Sequence, residues 1–132
     1  MITTIEELQT VVFQLYRSQN YAEACAVIDG EDERFPEHKA AMLLWKTRML
    51  AAAGRTDEAL QTLAKSIEGG HWYYDFYLRD INDFQALQGN PEFERLIMLS
   101  QQRLRDIIEA TPPKRLDVPL STTKLIMRDK PR

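Results

Sequence analysis

The side chains able to do chemistry are few in this chain of 132 residues. His38 sits among charged residues at the start of a helical stretch, and His71 follows a glycine pair. Neither has a partner at the spacing of a metal-ligand set or a catalytic triad. No H-E-x-x-H, G-x-S-x-G, phosphate-loop or dinucleotide-binding glycine pattern occurs. Cys25 is the single cysteine, so neither an intrachain disulfide nor a cysteine-based zinc set can form, and it reads as a small core residue of a protein kept in a reducing compartment. The carboxylates belong to solvated helix faces and caps. The reading is of a chain that is not itself an enzyme and needs no metal or cofactor.

Charge narrows the partners. The net charge of -3 hides an asymmetry: residues 1–36 carry seven acids and two bases, residues 37–110 eleven and nine, and residues 111–132 two and six. An acidic folded part whose aromatics are not interleaved with bases does not suit nucleic acid. Lys114, Arg115, Lys124, Arg128, Lys130 and Arg132 could touch phosphates or anionic lipid, but a basic solubilising segment is the simpler account. No apolar run reaches the length of a membrane span and the first residues lack the pattern of a signal peptide, so the expected location is cytoplasmic.

The elements that would position any functional residue are helices. Ile5, Leu8, Val12 and Leu15 keep helical spacing after Thr4, and Thr4 with Glu7 has the spacing of a capping box, which predicts a helix over residues 4–18. Asn20 with Glu23 predicts a second cap, for a helix ending near Gly30. Residues 37–53 form a third helix opened by Pro36. The junction 51–67, AAAGRTDEALQTLAKSI, turns at Gly54 and restarts with Thr56 as cap. Ala59, Leu60, Leu63, Ala64 and Ile67 then mark one helix face, and Gly69 and Gly70 stop it. HWYYDFYLRD concentrates aromatic rings, too many to be buried together with Trp45, so some should line a groove. Asn90 and Pro91 open a last amphipathic helix, with Phe93, Leu96, Ile97, Leu104, Ile107 and Ile108 on one face to about Ala110. Beyond Pro112 and Pro113, Leu116, Val118 and Leu120 alternate around Pro119, an extended pattern. The domain reading is a helical body over residues 1–110 and an extended basic linker or tail over 111–132.

Aligned by their turns, NYAEACAVI falls on RTDEALQTL at an offset of 35 residues, setting Ala24 on Ala59, Glu23 on Glu58 and Ile28 on Leu63. With Leu8 and Leu43 as the large residues of the preceding helices, Gly54 as the turn glycine and Pro36 closing the first unit, the chain resembles the tetratricopeptide repeat family. Val12 and Thr47 stand where a small residue is usual, and Gln19 replaces the first turn glycine. Trp72, Leu78, Asp83, Phe84, Leu87, Pro91 and Phe93 look like the element that closes bacterial arrays of this kind. The resemblance implies an all-α, right-handed superhelical array of antiparallel helix hairpins ending in an extended tail.

It also implies a protein-interaction module that binds a peptide or protein on the inner face of the array. By position that face holds Gln9, Phe13, Tyr16 and Arg17 from the first unit, Leu44, Arg48 and Ala51 from the second, and Arg79 beyond. The arginines would suit a partner with acidic groups. Oligomeric state is left open. The alternative is that the chain is the N-terminal helical domain of a larger bacterial enzyme, such as an α/β-hydrolase, positioning or regulating a catalytic domain. Residues 116–132 motivate it, because Leu125, Ile126 and Met127 would pair more sensibly with a downstream strand than with water.

Overall fold

The computed structural model describes residues 2–111, and every regular element among them is helical. In chain order these are α1 (Ile5–Arg17), α2 (Tyr21–Gly30), a 3-10 turn (Pro36–His38), α3 (Lys39–Ala52), α4 (Thr56–Glu68), α5 (Asp75–Asp80), a second 3-10 turn (Asn82–Leu87) and α6 (Pro91–Ala110). Of the residues read as an extended tail, 111–132, all but Thr111 lie outside the described region.

The first and last helices begin as their sequences dictate. Thr4 Oγ1 accepts from the Glu7 amide at 3.1 Å while the Glu7 carboxylate accepts from the Thr4 amide at 3.2 Å, which satisfies donors that no helix turn can reach. At α6, Asn90 Oδ1 accepts from the amides of Glu92 and Phe93, with Pro91 at the first helical position. Two expected caps are corrected. Asn20 occupies the capping position of α2 without a side-chain bond, and Thr56 is already the first residue of α4, preceded by Arg55, whose guanidinium grips Glu58 instead.

Helix endings explain both corrections. After α3 the Gly54 amide bonds Ala51 O at 3.0 Å and the Arg55 amide bonds Leu50 O at 2.9 Å, a paired closure that needs a left-handed residue at position 54, where φ is +78°. Arg55, whose amide makes the second closing bond, is thereby the residue that precedes α4, which starts at Thr56, one residue earlier than a Thr56 cap requires. The same pair of bonds closes α1, Gln19 to Tyr16 and Asn20 to Leu15, but there the left-handed residue is Gln19, at φ +63°. The third helix is corrected at its start too: Pro36–His38 make a separate 3-10 turn, and α3 begins at Lys39.

Apolar residues divide into two clusters. The first joins α1, α2 and α3 through Leu8, Val12, Ala24, Ile28, Met42, Trp45 and Met49, with Ala59 of α4 at its border. The second joins α4, α5, the second 3-10 turn and α6 through Leu63, Ile67, Leu78, Phe84, Leu87, Phe93 and Leu96. α3 packs into both, and Ala51 touches each cluster. Cys25 is buried, as a core residue should be, and burial pushes its thiol above the usual range. Thr47, which stands where a smaller residue was expected, is fully buried because its hydroxyl donates to Leu43 O at 2.8 Å.

Candidate functional site

The residues expected to line an inner binding face are distributed unequally. Phe13 and Tyr16 of α1 and Arg48 of α3 come together, Gln9 and Arg17 lie exposed on α1, and Leu44 and Ala51 pack into the apolar clusters. Arg79 lies apart, on α5.

At the meeting point of α1 and α3 the Arg48 guanidinium lies over two rings, 5.0 Å from the centroid of Phe13 and 5.4 Å from that of Tyr16. Its Nε donates to Asp83 Oδ2 at 3.1 Å, and the Tyr16 hydroxyl donates to Asp83 Oδ1 at 2.8 Å. The Asp83 side chain is 7% exposed and that of Arg48 26%. Burial, then the bond to Asp83, raises the Tyr16 phenol above its ordinary range. Both carboxylate oxygens are thus used within the fold, and the second 3-10 turn is fastened across α1 and α3.

A second polar knot is centred on Tyr73, in the loop between α4 and α5. Its hydroxyl donates to Ala40 O at 2.6 Å and lies 2.6 Å from Ser66 Oγ, so with its one proton committed it accepts from Ser66. Its main chain is held as well: the amide donates to Ser100 Oγ at 2.7 Å, and Ser100 Oγ returns a proton to the Tyr73 carbonyl at 2.8 Å. One residue therefore joins α3, α4 and α6. Burial pushes its phenol up to about 12, against the opposing effect of the Ser66 bond.

Arg79 makes a forked pair with Glu94 at 2.7 Å for each bond, and Gln88 accepts from it at 2.8 Å. The Arg79 bonds, helped by the Gly89 amide, hold the Glu94 carboxyl down to about 2. Between α2 and α4 runs a groove of about 390 Å³ with Cys25 and Leu50 among its lining residues, and its charged lining is paired as well, Lys46 with Asp29 and Arg55 with Glu58. Among the described residues no cluster of three metal-ligating side chains occurs, and no buried side-chain nitrogen or oxygen lacks a partner. The arrangement is one of internal fastening.

The sequence matches the family described as A/B hydrolase-like, N-terminal domain, over residues 4–107. That stretch takes in α1 to α5 entire and α6 as far as Ile107. The chain belongs to the A/B hydrolase-like N-terminal domain family. This corrects the tetratricopeptide resemblance: the family that matches is the hydrolase-like N-terminal domain, and the hairpin spacing that suggested a repeat is shared local geometry, two helix pairs closed by the same turn. The crystal structure, at 2.75 Å resolution, of an uncharacterised protein from Bacillus cereus ATCC 10987 is similar, with a TM-score of 0.71 and 24% identity. The similarity covers 83% of this chain and 36% of that one, so this helical domain corresponds to little more than a third of the Bacillus cereus protein. No curated protein matches the sequence.

Asp83 and Tyr73 carry more of the site than the sequence disclosed. Asp83 was visible only as one position of a closing pattern, and its partners lie 35 and 67 residues away. The aromatic stretch forms a run of ring contacts: Trp72, Tyr74, Phe76 and Tyr77 have neighbouring centroids 4.8–6.1 Å apart, Tyr77 is exposed and the other three are half-buried, a partly covered shelf.

Proposed function

We propose that this chain is the non-catalytic helical domain at the front of a hydrolase-like protein, and that it positions or regulates a catalytic domain carried on the same polypeptide. The observation that carries this reading is the family match over residues 4–107, which spans nearly the whole helical body. The internal chemistry supports it. Asp83, Arg48, Tyr73 and Arg79 are each engaged in fastening one helix to another, which suits a rigid body better than a reaction centre. The partner expected on the exposed surface is then a domain of the same polypeptide, not a free peptide.

Hydrolysis of p-nitrophenyl acetate, measured with the 132-residue chain and with the polypeptide encoded by the native reading frame, tests the proposal. The longer protein is expected to release nitrophenolate and the 132-residue chain to match buffer. Hydrolysis by the short chain, or a stop codon directly after Arg132, would overturn it.

A further inference from the structure

The fold already shows how an arginine is held in this molecule. Arg48 lies over Phe13 and Tyr16, 5.0 and 5.4 Å from the ring centroids, while its Nε donates to Asp83 at 3.1 Å. Two rings attract the guanidinium through their electron-rich faces, and a carboxylate fixes it by a charge-assisted bond.

The same three ingredients meet on the outer side of α5. Asp80 follows Phe76 by four residues and Tyr77 by three, which sets all three on one side of the helix, away from the buried Leu78. The Phe76 and Tyr77 centroids are 4.8 Å apart, and Tyr74 stacks on Phe76 at 5.3 Å with 14° between the planes, which steadies that ring. Tyr77 is 48% exposed, and Asp80 is exposed as well. Here the charge is not spent internally. Arg79, the one base of α5, is turned to Glu94 and Asp75. Among the described residues no cation lies over either ring, and no ion pair or hydrogen bond engages the Asp80 side chain.

Resting on the proposed function above, we infer that Phe76, Tyr77 and Asp80 form a docking site for an arginine side chain carried by the hydrolase-like domain of the same polypeptide. Charge complementarity selects the group. A guanidinium is planar, stacks on aromatic rings and donates two parallel bonds to a carboxylate, whereas an ammonium is a compact point charge. The proportion of chain selects the source. The matched region is little more than a third of the similar Bacillus cereus protein, so in a polypeptide of that kind a larger body is tethered beside this domain at high effective concentration. Aromatic rings and arginine are also the side chains enriched where such bodies meet.

Proton NMR of the Phe76 and Tyr77 rings, during titration of the 132-residue chain with acetyl-arginine amide, tests the chemistry, with acetyl-lysine amide and the uncharged acetyl-citrulline amide as comparisons. The arginine amide is expected to shift both rings at about threefold lower concentration than the lysine amide, and the citrulline amide to leave them unmoved. Asp80→Asn should raise the arginine amide concentration needed about threefold, with an unchanged melt by circular dichroism showing that the variant is folded. Glu109→Gln, which alters an exposed acid at the end of α6, should bind as wild type does. Equal responses to the arginine and lysine amides, or an Asp80→Asn titration that matches wild type, would refute the site and leave the proposed function standing. In the polypeptide encoded by the native reading frame the arginine amide is expected to leave both rings unmoved, because the domain's own guanidinium covers them. Shifts as large there as in the 132-residue chain would overturn the assignment to that domain, as would ring signals that move with protein concentration alone, the mark of a second copy. A reading frame ending at Arg132 would remove the proposed function and the inference together.

Discussion

Replacing Asp83 by alanine tests whether the carboxylate between α1 and α3 fastens the fold as the geometry implies. The change deletes the acceptor of two bonds, from Arg48 Nε and from the Tyr16 hydroxyl. Removing one partner of a fully buried ion pair costs about 3–5 kcal/mol, but the Arg48 side chain is 26% exposed and regains part of its hydration. The Tyr16 hydroxyl loses a bond worth about 1 kcal/mol. Together these give a destabilisation of about 2–3 kcal/mol, or roughly 8–12 °C in Tm for a body of this size. Urea unfolding followed by circular dichroism at 222 nm measures it. Tyr16→Phe should cost about 1 kcal/mol in the wild type and almost nothing in Asp83→Ala, since its hydroxyl then has no partner to lose. The double variant Asp83→Leu, Arg48→Met should recover part of the loss, because no charge is left orphaned. If Asp83→Ala stays within about 0.5 kcal/mol of wild type, or if Tyr16→Phe costs the same in both backgrounds, the cluster is ornament and the reasoning fails.

Other consequences are as specific. Glu94 is held at about 2, below its usual carboxylate value, so its contribution is complete above the unfolded pKa and is lost as pH falls toward 2; the melting temperature should drop over that window, and less so in Glu94→Gln. Tyr73 is raised to about 12, so its contribution is intact below the unfolded value near 10 and disappears between pH 10 and 12, a loss that Tyr73→Phe should blunt in alkaline melts. Ala59, fully buried where α4 meets the first cluster, has no room for a long charged chain: Ala59→Arg should abolish the cooperative melt, and a soluble, cooperatively melting variant would contradict that packing. Gln19→Gly should stabilise by about 0.5 kcal/mol in urea melts, as the left-handed strain of a side-chain-bearing residue outweighs the extra entropy glycine loses.

Much of the helical body could be read directly from the chain because its signals are local. Thr4 with Glu7, Asn90 with Pro91, and the stripe from Ala59 to Ile67 act over one or two turns, and each emerged where expected. The caps at Asn20 and Thr56 fail for a reason that lies one step beyond local pattern: the residue before each helix, Asn20 or Arg55, closes the preceding helix through its amide and sits at ψ 64° or 69°, short of the extended backbone of a capping residue, so Asn20 makes no side-chain bond and α4 begins at Thr56. The site was less legible. Phe13, Tyr16 and Arg48 stand out only by their places in a repeat pattern, and what unites them, Asp83, arrives from a turn far along the sequence. The repeat pattern points to a different family from the one that matches, since a hairpin with a small residue at its crossing is a solution many helical proteins share. Tyr73 was hidden among neighbouring rings, and only its position between Ala40, Ser66 and Ser100 distinguishes it from the shelf.

α3 belongs to both apolar clusters, and each cluster region has its own tryptophan: Trp45 in the first, 5.9 Å from Phe13, and Trp72 on the shelf beside Tyr73 of the second. The molecule therefore carries one optical reporter in each cluster region. If the shared helix enforces all-or-none melting, the emission of a Trp45→Phe variant and of a Trp72→Phe variant will trace one superimposable curve. If the halves part company, Trp45 and Trp72 will report different midpoints, and the gap between them will measure how firmly one helix can bind two half-cores into a single cooperative unit.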